Sequence, residues 1–293
     1  MLTPTSEQLA CLEGFERVAF RFSDFFHRNP TANKVAMKYL STFGASWVDL
    51  ATRKLRYVQG TEHIRNLRPE RGVVLVANHR SFFDLYVTSS VMFHEARWIE
   101  HMCFPVRSNF FYEGLAGVAV NMVMSAMAMY PPILRDTNRK AFNQYAVDVM
   151  VEMAKQRGTL LGFHPEGTRG KGANPYELLP AHSGVGQIVR LARPVVIPAF
   201  ILGLCNDFPR QIKGNFDGTG EPVTLTFGPP VDLGSLLDEE PKLRTFKKIA
   251  EILRSKIAEL GEQDKILRKR LGLPSKEPAL TADSTCTGSA SPG

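Results

Sequence analysis

The stretch Val73–Asp84, VVLVANHRSFFD, decides how the rest of this chain is read. Val73 to Ala77 is a short continuous apolar run, the pattern of a strand buried on both faces. It ends at Asn78-His79-Arg80-Ser81, and Ser81 is a suitable N-cap for a helix that opens Phe82-Phe83-Asp84. On an unbroken helix His79 and Asp84 would point well away from each other. With His79 in the loop and Asp84 in the first turn, the two side chains converge. Asp84 then keeps one imidazole nitrogen protonated and leaves the other to take a proton from a bound hydroxyl. The pairing by itself is weakly specific, because a histidine after a strand is more often a loop or capping residue.

Working outward, the same alternation recurs. Thr159–Phe163 is a second apolar strand, and it empties into His164-Pro165-Glu166-Gly167-Thr168-Arg169-Gly170-Lys171-Gly172. Glycines let backbone N–H groups approach a ligand closely, and Arg169 and Lys171 can pair with a phosphate, although a basic Gly-rich turn is commonly only a turn. Pro194 to Phe200 reads as another buried strand, Arg97 to Phe104 as a short one, and Val223 to Phe227 as an edge strand. Ile133-Leu134-Arg135, after Pro131-Pro132, reads as a strand end with Arg135 at its mouth. Helices are expected at Phe82 to Phe93, Asn138 to Arg157, Gly184 to Ala192 and, from the spacing of Leu243, Phe246, Ile249, Leu253, Ile257 and Leu260, at the end of the domain. Strands alternating with helices predict an α/β domain: a mixed, mostly parallel sheet flanked by helices, with its chemistry in the strand-end loops.

Three segments follow from these patterns. Residues 1–57 are read as helical, a hairpin of two amphipathic helices (Glu7 to Phe26 and Ala32 to Leu55) broken at Asn29-Pro30. Their aromatics and flanking lysines suit a lipid headgroup region; packing against the domain is the plainer alternative. Residues 58–262 are the expected catalytic domain. Within it, Gly114 to Tyr130 carries no charge but falls short of the ~20 residues that span a bilayer, so it reads as a buried or partly inserted helix. Residues 263–293 combine a basic helix end (Lys265, Arg268, Lys269, Arg270), expected to be solvated, with a Ser/Thr/Gly/Pro-rich tail expected to be disordered.

The net charge of +7 and pI near 9.3 suit an anionic partner without choosing among nucleic acid, anionic lipid and phosphorylated substrate. No nucleic-acid-binding module and no basic stripe interleaved with aromatics is recognisable, so nucleic acid ranks last. Cys11, Cys103, Cys205 and Cys286 are far apart and form no C-x-x-C, which points to a reducing compartment and to neither a metal site nor a disulfide framework. No signal peptide is visible at the start of the sequence.

The two loops together carry a resemblance. NHRSFFD at 78–84 resembles the H-x-x-x-x-D block of the glycerolipid acyltransferases, and FHPEGTR at 163–169 is similar to that family's F-P-E-G-T-R block, in the same order. Val195-Val196-Ile197-Pro198 resembles the fourth block, and Ile133-Leu134-Arg135 matches the second in part, Pro131-Pro132 replacing its glycine and aromatic. The resemblance covers roughly residues 60–230. It implies His79 as general base, Asp84 as its orienting carboxylate, and Glu166, Gly167, Thr168, Arg169 and Arg135 as acceptor- and phosphate-binding residues. It also implies Pro198 at the acyl or donor channel, and no metal or cofactor. Arg80 could face an anionic headgroup or simply solvent, and His164, an extra residue between the phenylalanine and the proline, has no role assigned. The donor would be acyl-CoA or acyl carrier protein, the acceptor a lysolipid or glycerol phosphate (1-acylglycerol-3-phosphate first), and the place of action the cytoplasmic face of a membrane. Another lysolipid, a non-phosphate alcohol, or a silent lipid-binding relative are the alternatives.

Overall fold

In the computed structural model, which describes residues 1–274, the strands are β1 (Arg56–Gln59), β2 (Val73–Ala77), β3 (His101–Cys103), β4 (Val106–Arg107), β5 (Pro132–Ile133), β6 (Thr159–Phe163), β7 (Val195–Leu202) and β8 (Val223–Phe227). Six of them form one sheet in the order β1-β8-β7-β2-β6-β3, and β4 and β5 form a separate pair. Within the large sheet only the β7–β8 pairing is antiparallel, which makes it the mixed, mostly parallel sheet expected. β2 lies between β7 and β6, and every residue from Val73 to Ala77 is fully buried, as a strand with neighbours on both edges and helices on both faces requires. Gly162 in β6 allows Phe104 to lie against the strand; a Cβ there would come within 2.3 Å of its ring.

β8 is not the edge strand that its sequence suggested. β1 pairs along its outer side, from Arg56 opposite Val223 to Gln59 opposite Thr226. β1 falls at the end of the stretch read as helical; four residues with only partial burial carry no apolar alternation to reveal a strand.

The helices are α1 (Ser6–Ala10), α2 (Gly14–Arg28), α3 (Pro30–Tyr39), α4 (Ala45–Thr52), α5 (Glu62–Arg65), α6 (Asp84–Glu95), α7 (Ser108–Phe111), α8 (Leu115–Ser125), α9 (Lys140–Lys155), α10 (Ser183–Ala192), α11 (Phe208–Asp217) and α12 (Leu243–Arg270). The break at Asn29-Pro30 is as read: Asn29 accepts from Ala32 N at 3.0 Å and Pro30 takes the first turn, where no N–H is needed. The expected helix over 32–55 is interrupted by a π turn at Leu40–Gly44. α2 is anchored on the domain. Phe20 is buried against Phe142 and Tyr145, while His27 hydrogen-bonds the carbonyl of Met127 (2.9 Å) and the ring of His101 (2.8 Å).

The uncharged run at 114–130 is α8 plus a return. Ala126 and Met127 adopt left-handed φ of 45° and 67°, and buried Asn121 bonds the N–H and the carbonyl of Met129 at 3.2 and 3.3 Å. No helix among the described residues is long and apolar enough to cross a membrane. α12 runs on to Arg270, and Arg268 is inside, not solvated: it pairs with Asp264 (3.3 Å) and donates to Thr224 Oγ1 (3.0 Å) and to the carbonyls of Leu202 and Pro222. The tail from Ser275 lies outside the described residues.

Candidate active site

β2 and β6 run side by side in parallel, Val76 opposite Phe163, so the loops that follow them leave the sheet at the same edge. That register alone brings the two sequence motifs together. The loops are then stitched. His79 N donates to Glu166 Oε1 (2.9 Å), Gly170 N to the carbonyl of His79 (2.9 Å), and Arg80 Nη2 to the carbonyl of Gly172 (2.8 Å).

The helix after β2 opens two residues later than the cap pattern predicts. Ser81 Oγ accepts from Phe83 N (3.2 Å), and α6 starts at Asp84. Asp84 Oδ2 accepts from Arg80 N (2.7 Å), Ser81 N (2.8 Å) and His79 Nδ1 (3.1 Å). Since a carboxylate only accepts, Nδ1 of His79 carries the proton and Nε2 is the free base nitrogen. Burial lowers the imidazole of His79 to about 4, with the guanidiniums of Arg169 and Arg107 pressing the same way. Burial raises Asp84 to about 6 against the pull of its hydrogen bonds. At pH 7 the pair is therefore a neutral imidazole on a carboxylate, the state a general base requires.

Glu166 is buried with both oxygens occupied, Oε1 by His79 N and Oε2 by Leu179 N (2.8 Å). Its carboxylate faces the protein and holds the main chain of His79. Gly167 serves the turn: its φ is +61°, its N–H closes on the carbonyl of His164 (2.9 Å), and a Cβ would strike the ring of His182 at 2.6 Å. Thr168 and Arg169 are exposed at the rim, and Arg169 donates to Asn206 Oδ1 (3.3 Å). Pro198 is part of the sheet. It lies mid-strand in β7 opposite Val76, sharing by alternation the face of Phe200, which meets Gly261 of α12, and so it lies across the sheet from α6 and Asp84.

Three residues that sequence reasoning left without a role complete the site. Arg107, at the end of β4, is brought beside Arg135 by the β4–β5 pairing, and its charge is disfavoured first by desolvation and then by that neighbour. Among the described residues neither guanidinium has a carboxylate within salt-bridge distance; both residues are exposed, and Arg107 lies near enough to His79 to act on its ring. Asn206 accepts from Ser81 Oγ (3.2 Å), Phe82 N (2.9 Å) and Arg169, tying one loop to the other. His164 lies flat on His79. Arg107 is one arginine among many in sequence, and Asn206 lies more than 120 residues from the loop it braces, so nothing local marks either of them.

His79, Asp84 and His164 bring potential ligand atoms within 4.8 Å of one another. As a metal centre they fit poorly: the two rings are parallel within 5°, so their in-plane lone pairs cannot meet at one ion, and Asp84 Oδ2 already serves three donors. A small apolar cavity lies between α4 and α6, lined by Trp47, Val48, Phe83, Tyr86, Val87 and Leu204.

The family model described as Acyltransferase matches residues 56–202, half of the chain and all of the strand-loop units just described. No curated protein sequence matches. Among solved structures the chain is similar to the 1-acyl-sn-glycerophosphate (LPA) acyltransferase PlsC from Thermotoga maritima, at 18% identity over 83% of this chain and 88% of that one, with a TM-score of 0.46. The histidine–aspartate loop and the HPEGTR loop both fall inside the matched region, and the chain belongs to the acyltransferase family.

Proposed function

We propose that this protein transfers a fatty acyl group from a thioester, acyl-CoA or acyl carrier protein, to the hydroxyl of a 1-acylglycerol-3-phosphate-type acceptor. The observation that carries the reading is a neutral His79, oriented by Asp84, with the guanidiniums of Arg107 and Arg169 acting on its ring. Nε2 of His79 takes the acceptor's hydroxyl proton as the oxygen attacks the thioester carbonyl. The tetrahedral intermediate collapses, the C–S bond breaks, and the thiolate leaves with the proton from His79. A thioester is already activated, so no acyl-enzyme is required. Asp84 stabilises the imidazolium that forms.

Arg107, Arg135 and Arg169 are the phosphate ligands in this reading. Binding has a second consequence: His79 is depressed first by burial and then by Arg169 and Arg107, and a phosphate dianion on those two arginines offsets the second of these contributions.

The membrane is the proposed source of acceptor, at its cytoplasmic face. Phe15, Val18, Phe22 and Phe25 form one exposed stripe along α2 (from 40% exposed at Phe15 to 64% at Val18), with Val35 on α3 also exposed and Arg21, Lys34 and Lys38 nearby. An apolar stripe edged with cations suits an anionic headgroup layer.

The test is thiol release from palmitoyl-CoA, repeated with palmitoyl-acyl carrier protein, against a panel of lysolipid acceptors and with His79→Ala alongside. Release that depends on lysophosphatidic acid and is lost in the variant supports chemistry and acceptor together. Release with another acceptor keeps the chemistry and moves the substrate. No release with any acceptor from either donor overturns the reading.

A further inference from the structure

His164 follows directly on β6, and by alternation it shares a face with Leu160 and Gly162, the face that α6 covers. Its Nδ1 lies 3.0 Å from the carbonyl oxygen of Ala77 on the neighbouring strand. A carbonyl only accepts, so this contact fixes the Nδ1–H tautomer and leaves Nε2 without a proton. The ring stacks on that of His79 with centroids 3.8 Å apart and planes 5° from parallel. His79 is thus held on two sides, by Asp84 at its Nδ1 edge and by His164 over one face.

We propose that His164 is a positioning residue for His79: tethered to Ala77, its flat ring confines the base's imidazole to the orientation that meets Asp84 and keeps water off one face. This rests on His79 being the general base of the proposed acyl transfer. A second imidazole at this distance would ordinarily compete for the proton. His79 donates its Nδ1–H to the carboxylate of Asp84 while His164 donates to the carbonyl of Ala77, so the imidazolium is favoured on His79, the residue that must return the proton to the leaving thiolate. Once His79 is protonated, its charge lies on the π face of a neutral ring, an attraction that exists only after proton transfer has begun.

The experiment compares His164→Ala, His164→Phe and His79→Ala in the full-length protein. It uses palmitoyl-CoA and lysophosphatidic acid for turnover, and nitrogen NMR of the His79 ring, which needs no turnover, for titration. His164→Ala should lower kcat by roughly 10- to 100-fold, the cost of a loosened reacting group. The acceptor KM should stay within about threefold, and the titration midpoint of His79 should move up towards 6.5. His164→Phe keeps a flat apolar cover and should restore kcat to within about fivefold of the parent, with a low midpoint. Wild-type kcat and midpoint in His164→Ala, with His79→Ala inactive, would overturn this inference and leave the base intact. A Phe variant as impaired as the Ala variant would overturn it too, since the ring would not be what matters. Full activity in His79→Ala would overturn the base reading first and this one with it.

Discussion

Glu166 accepts the backbone N–H of His79 at 2.9 Å, so the carboxylate of one motif loop holds the main chain of the other. Its remaining oxygen accepts from Leu179 N at 2.8 Å, and the side chain is only 3% exposed. Glu166→Ala leaves two part-buried donors without an acceptor, at up to roughly 1–3 kcal/mol each. Glu166→Gln turns an amide NH2 towards one of them. Both variants should unfold at lower temperature in calorimetry and lose at least tenfold in kcat, with a smaller change in acceptor KM. A pure KM effect with unchanged stability would return Glu166 to the substrate.

Asp84→Asn removes the charge that orients His79 and stabilises its protonated form. The expected loss in kcat is about 10²- to 10⁴-fold, with circular dichroism unchanged. In the parent, activity needs His79 neutral and Asp84 ionised. With His79 lowered to about 4 and Asp84 raised to about 6, kcat/KM should climb with pH through that interval and level off near 7. An acid limb centred above 7 would contradict this electrostatic arrangement.

Arg107→Ala makes a sharper test of the phosphate pocket than Arg169→Ala, because Asn206 braces only the latter. Its kcat/KM for a phosphate-bearing acceptor should fall by about 10- to 100-fold, with little change for an uncharged acceptor. Loss of this cation also removes part of the field on His79, so the acid limb of the free enzyme should move up in pH. Equal losses for charged and uncharged acceptors would count against phosphate recognition.

Stability should also depend on pH. Burial lowers His27 to about 4 and His101 to about 3, as it does His79 and His164. The unfolded chain binds protons on these residues below 6.5 while the folded chain refuses them, so each contribution shrinks as pH falls from 6.5 towards those values. Asp84 works the other way: its raised value means that the cost of burying its charge is relieved as pH falls through 6. Burial raises Glu166 and Asp264 in the same sense as Asp84, so four imidazoles stand against three carboxyls, and the imidazoles predict a falling unfolding temperature from pH 7.5 to 5. A flat or rising profile would show that the imidazoles are not held neutral.

Phe22→Asp with Phe25→Asp places two charges in the exposed stripe of α2 and leaves buried Phe20 untouched. Each large apolar side chain contributes about 1.5–3 kcal/mol on burial, so binding to anionic vesicles in co-sedimentation should fall by at least tenfold. Turnover with a water-soluble short-chain acceptor should be unaffected. Unchanged vesicle binding would remove α2 from the membrane contact.

Much of this molecule is legible in order. The apolar runs at Val73–Ala77 and Thr159–Phe163 are strands because a doubly covered strand has no polar face to show, and the residues that follow them form the site. His79 and Asp84 meet as their spacing around a helix start allows. The sequence by itself therefore determined the strands, the helices of the α/β layer and the pairing of His79 with Asp84, since each depends on residues close together in the chain. Tertiary structure alone decided the rest. The parallel register of β2 and β6 turned Glu166 inward and laid His164 on His79. The β4–β5 pair brought Arg107 beside Arg135, and the end of β7 delivered Asn206 to both loops. Buried Arg268 found Asp264 and the carbonyls that an apparently solvated helix end would not need. These contacts join residues tens to more than a hundred positions apart, where no local periodicity can signal them and only the pairing of strands brings the groups within hydrogen-bonding distance.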